Sequence, residues 1–103
     1  MNYNNNQSFV YKTRKKVLNM LIELNEINNL PPNQITHHAL DRKNYLETRL
    51  KYCLVPINQK LEIDNFFNKK YLNYLVLNPE VVYYLIDKAG GSEEVENKIK
   101  RLS

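Results

Sequence analysis

Hydrophobic positions recur along the first quarter of the chain at spacings near three and four. Val10, Val17, Leu18, Leu21, Ile22 and Leu24 form one stripe, the spacing of an amphipathic helix over residues 9–27. Its other face carries Lys12, Arg14, Lys15 and Lys16. The run "NNLPP", residues 28–32, ends it, because proline cannot donate to the helical ladder. The Asn-rich residues 1–8 read as a disordered tail. Pro32 suits the first turn of a short helix over 33–40, with Ile35, Ala39 and Leu40 inward. Asp41 then reads as the N-cap of a third helix over 42–54. Tyr45, Leu46, Leu50, Cys53 and Leu54 form its inner face. Arg42, Lys43, Asn44, Glu47, Thr48 and Lys51 form its outer face, and Pro56 ends it.

The pattern changes after Pro56. Lys60-Leu61-Glu62-Ile63-Asp64 alternates polar and apolar, the signature of a half-buried strand. "NFFNKK" follows as a loop. "YLNYLVL", residues 71–77, is rich in Tyr and Leu, and Asn73 interrupts a helical face centred on Leu72 and Val76, so it reads as a second strand. Asn78-Pro79-Glu80 combines an N-cap, a first-turn proline and a first-turn acid, and starts a helix over 79–88. Val81, Val82, Leu85 and Ile86 are its apolar residues, and Gly90-Gly91 stops it. Ser92 caps a last helix over 92–102 with acids first and bases last. The expected order is α-α-α-β-β-α-α, a mostly α fold with a small β-hairpin (α+β). It divides into a tail, a domain over 9–89 and a C-terminal helix over 90–103.

A length of 103 residues suits one domain with a core of its own. The net charge of +4 and pI near 9.2 permit a polyanionic partner without demanding one. Asn, Lys, Tyr and Ile have AT-rich codons, so their abundance points to a low-GC source such as a mobile element or a virus. The single cysteine allows no intramolecular disulfide and fits a reducing, cytoplasmic compartment, that of the host if the source is viral. No apolar run approaches membrane-spanning length, and the polar N-terminus lacks a signal-peptide core.

Catalytic motifs are missing from the sequence: no G-x-G-x-x-G, P-loop or G-x-S-x-G occurs. His37 and His38 are adjacent, so on a helix they point about 100° apart and do not chelate one ion together. His37 and Asp41 could, but a closed site wants about four ligands. Cys53 lies on an apolar stripe and reads as core rather than nucleophile. Glu23 and Glu26 read as solvated acids. The expectation is a non-enzymatic protein with no cofactor and no metal.

Three helices followed by a hairpin is the order of a winged helix-turn-helix. In that arrangement the 42–54 helix enters the major groove of double-stranded DNA. Arg42, Lys43 and Asn44 lie in its first turn, with Thr48 and Lys51 further on. Arg can read guanine and Asn adenine. Lys69 and Lys70 would form the wing tip, and Arg14, Lys15 and Lys16 would hold the backbone. Outer helix faces are ordinarily charged, so these residues also fit a plain solvated surface. A homodimer is expected for this class, with Val95, Ile99 and Leu102 as the contact stripe.

Over residues 9–86 the chain resembles winged-helix proteins of low-GC plasmids and phages, in particular plasmid replication proteins of the RepL type. The element that carries the likeness is Val76-Leu77-Asn78-Pro79-Glu80 followed by Tyr83 and Tyr84. The resemblance implies a transcriptional regulator or replication accessory. The chain departs from that pattern in "HHALDRKNYLETRL", which has no glycine for the turn and places Glu47 in mid-helix.

A different class fits the aromatics. Phe66, Phe67, Tyr71, Tyr74, Tyr83 and Tyr84 exceed what a small core holds, and Tyr and Phe are enriched at interface cores. The alternative is a small phage or virus module that binds a host protein and inhibits a host or defence enzyme through an aromatic surface.

Overall fold

The computed structural model describes residues 3–54 and 68–102. Among them are five α-helices, a short 3-10 turn over Pro32–Gln34 and no strand. The helices are α1 (Tyr3–Asn28), α2 (His37–Leu54), α3 (Lys69–Leu77), α4 (Pro79–Lys88) and α5 (Ser92–Arg101). The expected α+β fold with a hairpin wing is therefore wrong, and the protein is all-helical where it is described.

The long first helix is the spine. It packs against each of the other four. Thr13, Val17, Leu21 and Leu24 are fully buried along one stripe, at spacings of four, four and three. The helix begins at Tyr3, earlier than the predicted start at residue 9.

One helix, α2, replaces the predicted pair. Thr36 is its cap: the hydroxyl accepts from the Ala39 amide at 3.1 Å. Ile35 before it is extended (φ −82°, ψ 105°), which sets the entry. Asp41 is thus an exposed residue inside the helix, not a second cap. No Gly or Pro lies between His37 and Leu54, so nothing interrupts the ladder at Leu40-Asp41. Without that break there is no helix-turn-helix pair. The inner face is Leu46, Leu50, Cys53 and Leu54, all buried, whereas Tyr45 is 42% exposed.

Residues 71–77 are helical, contrary to the expected second strand. Asn68 caps α3, its side chain accepting from the Tyr71 amide at 3.0 Å. Leu72 and Leu75 are both fully buried. A spacing of three puts them on one helical face but on opposite faces of a strand. Asn73 and Tyr74 point outward and interrupt nothing. Residues 60–64, the expected first strand, lie outside the described residues.

Asn78 ends α3 and precedes Pro79 at the start of α4. Its side chain donates to the Tyr74 carbonyl at 2.8 Å and does not cap α4, as the sequence suggested it would. Two bonds close α4 in a Schellman arrangement. Gly91 N–H donates to Ile86 O at 2.9 Å and Gly90 N–H to Asp87 O at 3.2 Å. Both glycines need positive φ there (112° and 94°), a region L side chains rarely adopt.

The C-terminal helix closes the core. Val95 and Ile99 are buried in it, so two of the three residues expected at a dimer contact already have partners within the chain. Glu96 is 7% exposed and satisfied from α1: Thr13 Oγ1 donates to Oε2 at 3.3 Å, and Lys16 Nζ to Oε1. Behind α2, Arg49 donates to the Leu102 carbonyl at 2.8 Å and ties down the end of α5. No described helix is long and apolar enough to cross a membrane.

Candidate protein-docking groove

The residues expected to read DNA do not form the assembly that reading requires. Arg42 is held by Glu23, Nη2 donating to Oε1 at 2.9 Å and Nε to Oε2. Arg42's hydrogen bond holds the Glu23 carboxyl below the usual range, and the same bond raises the guanidinium. Both side chains are about two-fifths exposed (42% and 39%), so the pair contributes at most about 1 kcal/mol. Arg42 also lies 4.7 Å over the Tyr45 ring. Thr48 donates to the Asn44 carbonyl at 2.8 Å. Lys43 and Lys51 are half-buried, and Asn44 is exposed. Lys69 and Lys70 occupy the first turn of α3 rather than a wing tip. Lys16 is bound to Glu96. Arg14 and Lys15 stand elsewhere, in the groove described next.

The expected aromatic set is likewise divided. Phe66 and Phe67 lie outside the described residues. Tyr71 stacks on Tyr74, centroids 6.3 Å apart, and Tyr74 is half exposed. Tyr84 is 56% exposed, with Lys88 Nζ 5.5 Å from its ring centroid. Tyr83 is half-buried beneath Arg14, whose guanidinium carbon sits 4.4 Å from the ring centroid. A contact of this kind is worth about 0.5–1 kcal/mol at an exposed site.

That contact builds one wall of a groove. The other wall is α1 itself: Val10, Tyr11, Arg14, Lys15, Leu18, Asn19 and Ile22 line it, with Tyr83 opposite, around about 590 Å³. The α1 positions are spaced one, three, one, three, one and three apart, a second stripe beside the buried one. Sequence reasoning placed Val10, Leu18 and Ile22 in the core stripe. The structure separates them: Leu18 packs against the core from its edge, Val10 is half-buried and Ile22 is 39% exposed. The signal was present in the sequence, because the apolar arc of α1 is broader than one packed face requires.

Around α1 the same helix segment borders a basic hollow of about 490 Å³. Phe9, Lys12, Lys15 and Lys16 line it together with Lys100 and Glu96 of α5. The exposed aromatics Phe9 and Tyr11 flank these cations. Residues 9–22 of α1 thus present an apolar and aromatic surface in a cationic setting.

The remaining candidates carry no arrangement for chemistry. His37 and His38 are exposed in the first turn of α2, and among the described residues no three potential ligands gather for a metal. Cys53 is buried, with Sγ 3.9 Å from the Val95 carbonyl. Burial pushes its thiol up to about 11, while Lys98 pulls it down and Glu96 pushes it further up. At neutral pH it is a protonated core group.

No protein-family model matches the chain, and neither a curated protein nor a solved structure matches it. The residues that carried the RepL-type resemblance, Val76-Leu77-Asn78-Pro79-Glu80, form the junction of two helices here and not the end of a wing.

Proposed function

We propose that the chain is a protein-binding module whose docking surface is the groove between α1 and α4. The observation that carries this is the second apolar stripe of α1. Val10 and Ile22 are not needed on the buried face, and with Leu18, which packs at the edge of the core, they run beside it, walled by Tyr83 and edged by exposed Tyr11. Such a concave surface, apolar at its floor with a few polar groups at its edge, has the make-up of a recognition site. Tyr and Arg are the residue types that dominate binding energy at protein interfaces. The lining groups are suited to contact and orientation, so the activity is binding. A bound partner is affected through occlusion or recruitment.

Capture from native lysate with the tagged full chain tests this. Ile22→Asp and Tyr83→Ala are expected to lower recovery of the wild-type partner by about tenfold or more. Tyr52→Ala, on the outer face of α2, should leave recovery unchanged. Circular dichroism confirms that each variant is folded. Equal recovery with wild type, Ile22→Asp and Tyr83→Ala would contradict the proposal.

A further inference from the structure

The chemistry of the groove also restricts what it receives. Two of its lining residues, Arg14 and Lys15, are cationic, and none is acidic. The neighbouring hollow adds Lys12 and Lys100; Lys16 and the carboxylate of Glu96 also line it and neutralise each other. Beyond Val10 and Arg14 a third hollow carries Asp87 and Glu93, so a partner segment meets positive charge only on the side of the apolar floor that Lys12 and Lys15 border.

Shape narrows the choice further. From Val10 to Ile22 the stripe follows α1 for about 18 Å. The described residues hold no strand, so they offer no sheet edge for strand addition. A groove beside a helix is the geometry that accepts an amphipathic helix, read through anchors three and four residues apart. A membrane surface fits less well. An interfacial helix presents a convex apolar face to lipid, whereas Tyr83 makes this site concave.

We infer that the groove binds an acidic amphipathic helix of about three turns. Its apolar residues lie against Val10, Leu18 and Ile22, and its carboxylates face Arg14 and Lys15. This rests on the binding-module reading above and adds the class of partner.

The test is selection of peptides from a displayed library of random helical sequences on the full chain. Fluorescence anisotropy then measures each enriched peptide, and amide shifts locate it. Vesicles containing anionic phosphatidylglycerol form a second arm. The expected result is enrichment of net-negative peptides with apolar residues four apart that perturb the amides of residues 10–22. Their affinity should fall about tenfold with Lys15→Glu and with Arg14→Glu, and should weaken with salt. Lys15 is exposed, so its variant stays informative if Arg14→Glu disturbs the contact with Tyr83. Neutral or basic peptides in the groove would overturn the acidic partner while leaving the binding module intact. Vesicle binding that depends on Ile22, without peptide binding, would overturn it in favour of lipid. Enrichment only of peptides that bind elsewhere, or of none, would also overturn it. The binding-module reading fails separately, when capture does not depend on the groove.

Discussion

Leu50→Ala is expected to lower the stability of the fold by about 2–5 kcal/mol, the cost of lost transfer energy plus the cavity left behind. Leu50 is 1% exposed in the inner face of α2, a helix that packs against α1, α4 and α5. It belongs to a core cluster built from all five helices, so a local shift does not close the space. For a domain of this size the melting temperature should fall by roughly 10 °C or more. Leu40 provides the contrast. It lies on the same helix but is 44% exposed, so Leu40→Ala should stay within about 0.5 kcal/mol. Urea unfolding of the two variants decides the matter. Equal effects would mean that α2 does not present the face described.

Asn73 gives the second large effect, and its sign is diagnostic. Its side chain is exposed and contributes no core contact. It sits inside α3, four residues after Lys69. Asn73→Pro removes the ladder bond to that turn and sets the ring against it, which costs about 3 kcal/mol or more. Asn73→Ala should stabilise by about 0.5 kcal/mol, because alanine is the better helix former. In a strand the order changes: alanine, like asparagine, is disfavoured there, so no such gain arises. Thermal unfolding of both variants provides the reading. Loss of stability on Asn73→Ala would speak against a helix at this position.

Much of the fold was legible from spacing alone. The periods of three and four hold for the buried stripe of α1, for Leu46, Leu50, Cys53 and Leu54 of α2 and for Val82 and Ile86 of α4, whereas Ile22, Ile35, Leu40 and Tyr45, expected inward, are exposed. The stop at Gly90-Gly91 was legible because only glycine tolerates the positive φ that closes α4. The errors came from residues whose local preference is ambiguous. Thr36 and Asp41 both suit an N-cap, and only the extended Ile35 selects Thr36. Residues 71–77 have a strand-like composition, Tyr, Leu and Val, but a helical spacing at Leu72, Leu75 and Val76. Composition outweighed spacing in the sequence reading, and tertiary packing decided otherwise.

The candidate site was legible in its parts and not in its assembly. The sequence marks Arg14, Lys15 and Tyr83 as candidates, but its local pattern assigns the two cations to a DNA backbone and the tyrosine to a general aromatic surface. What joins them is the approach of α4 to α1, a long-range packing that no local pattern reports. Ion pairs between distant residues were equally hidden. Arg42 with Glu23 and Lys16 with Glu96 pair two of the surface cations that a DNA-binding reading counts on.

The measurement that bears most directly on the account is the run of backbone Cα chemical shifts across residues 69–77 in the full chain. An unbroken run of helical, downfield shifts is expected from Lys69 to Leu77, with Leu72 and Leu75 on one buried face. A run of upfield, strand-type shifts would contradict it. Leu72 and Leu75 would then face opposite ways, the hairpin wing would return, and the case for a protein-docking groove over a DNA-binding wing would be lost.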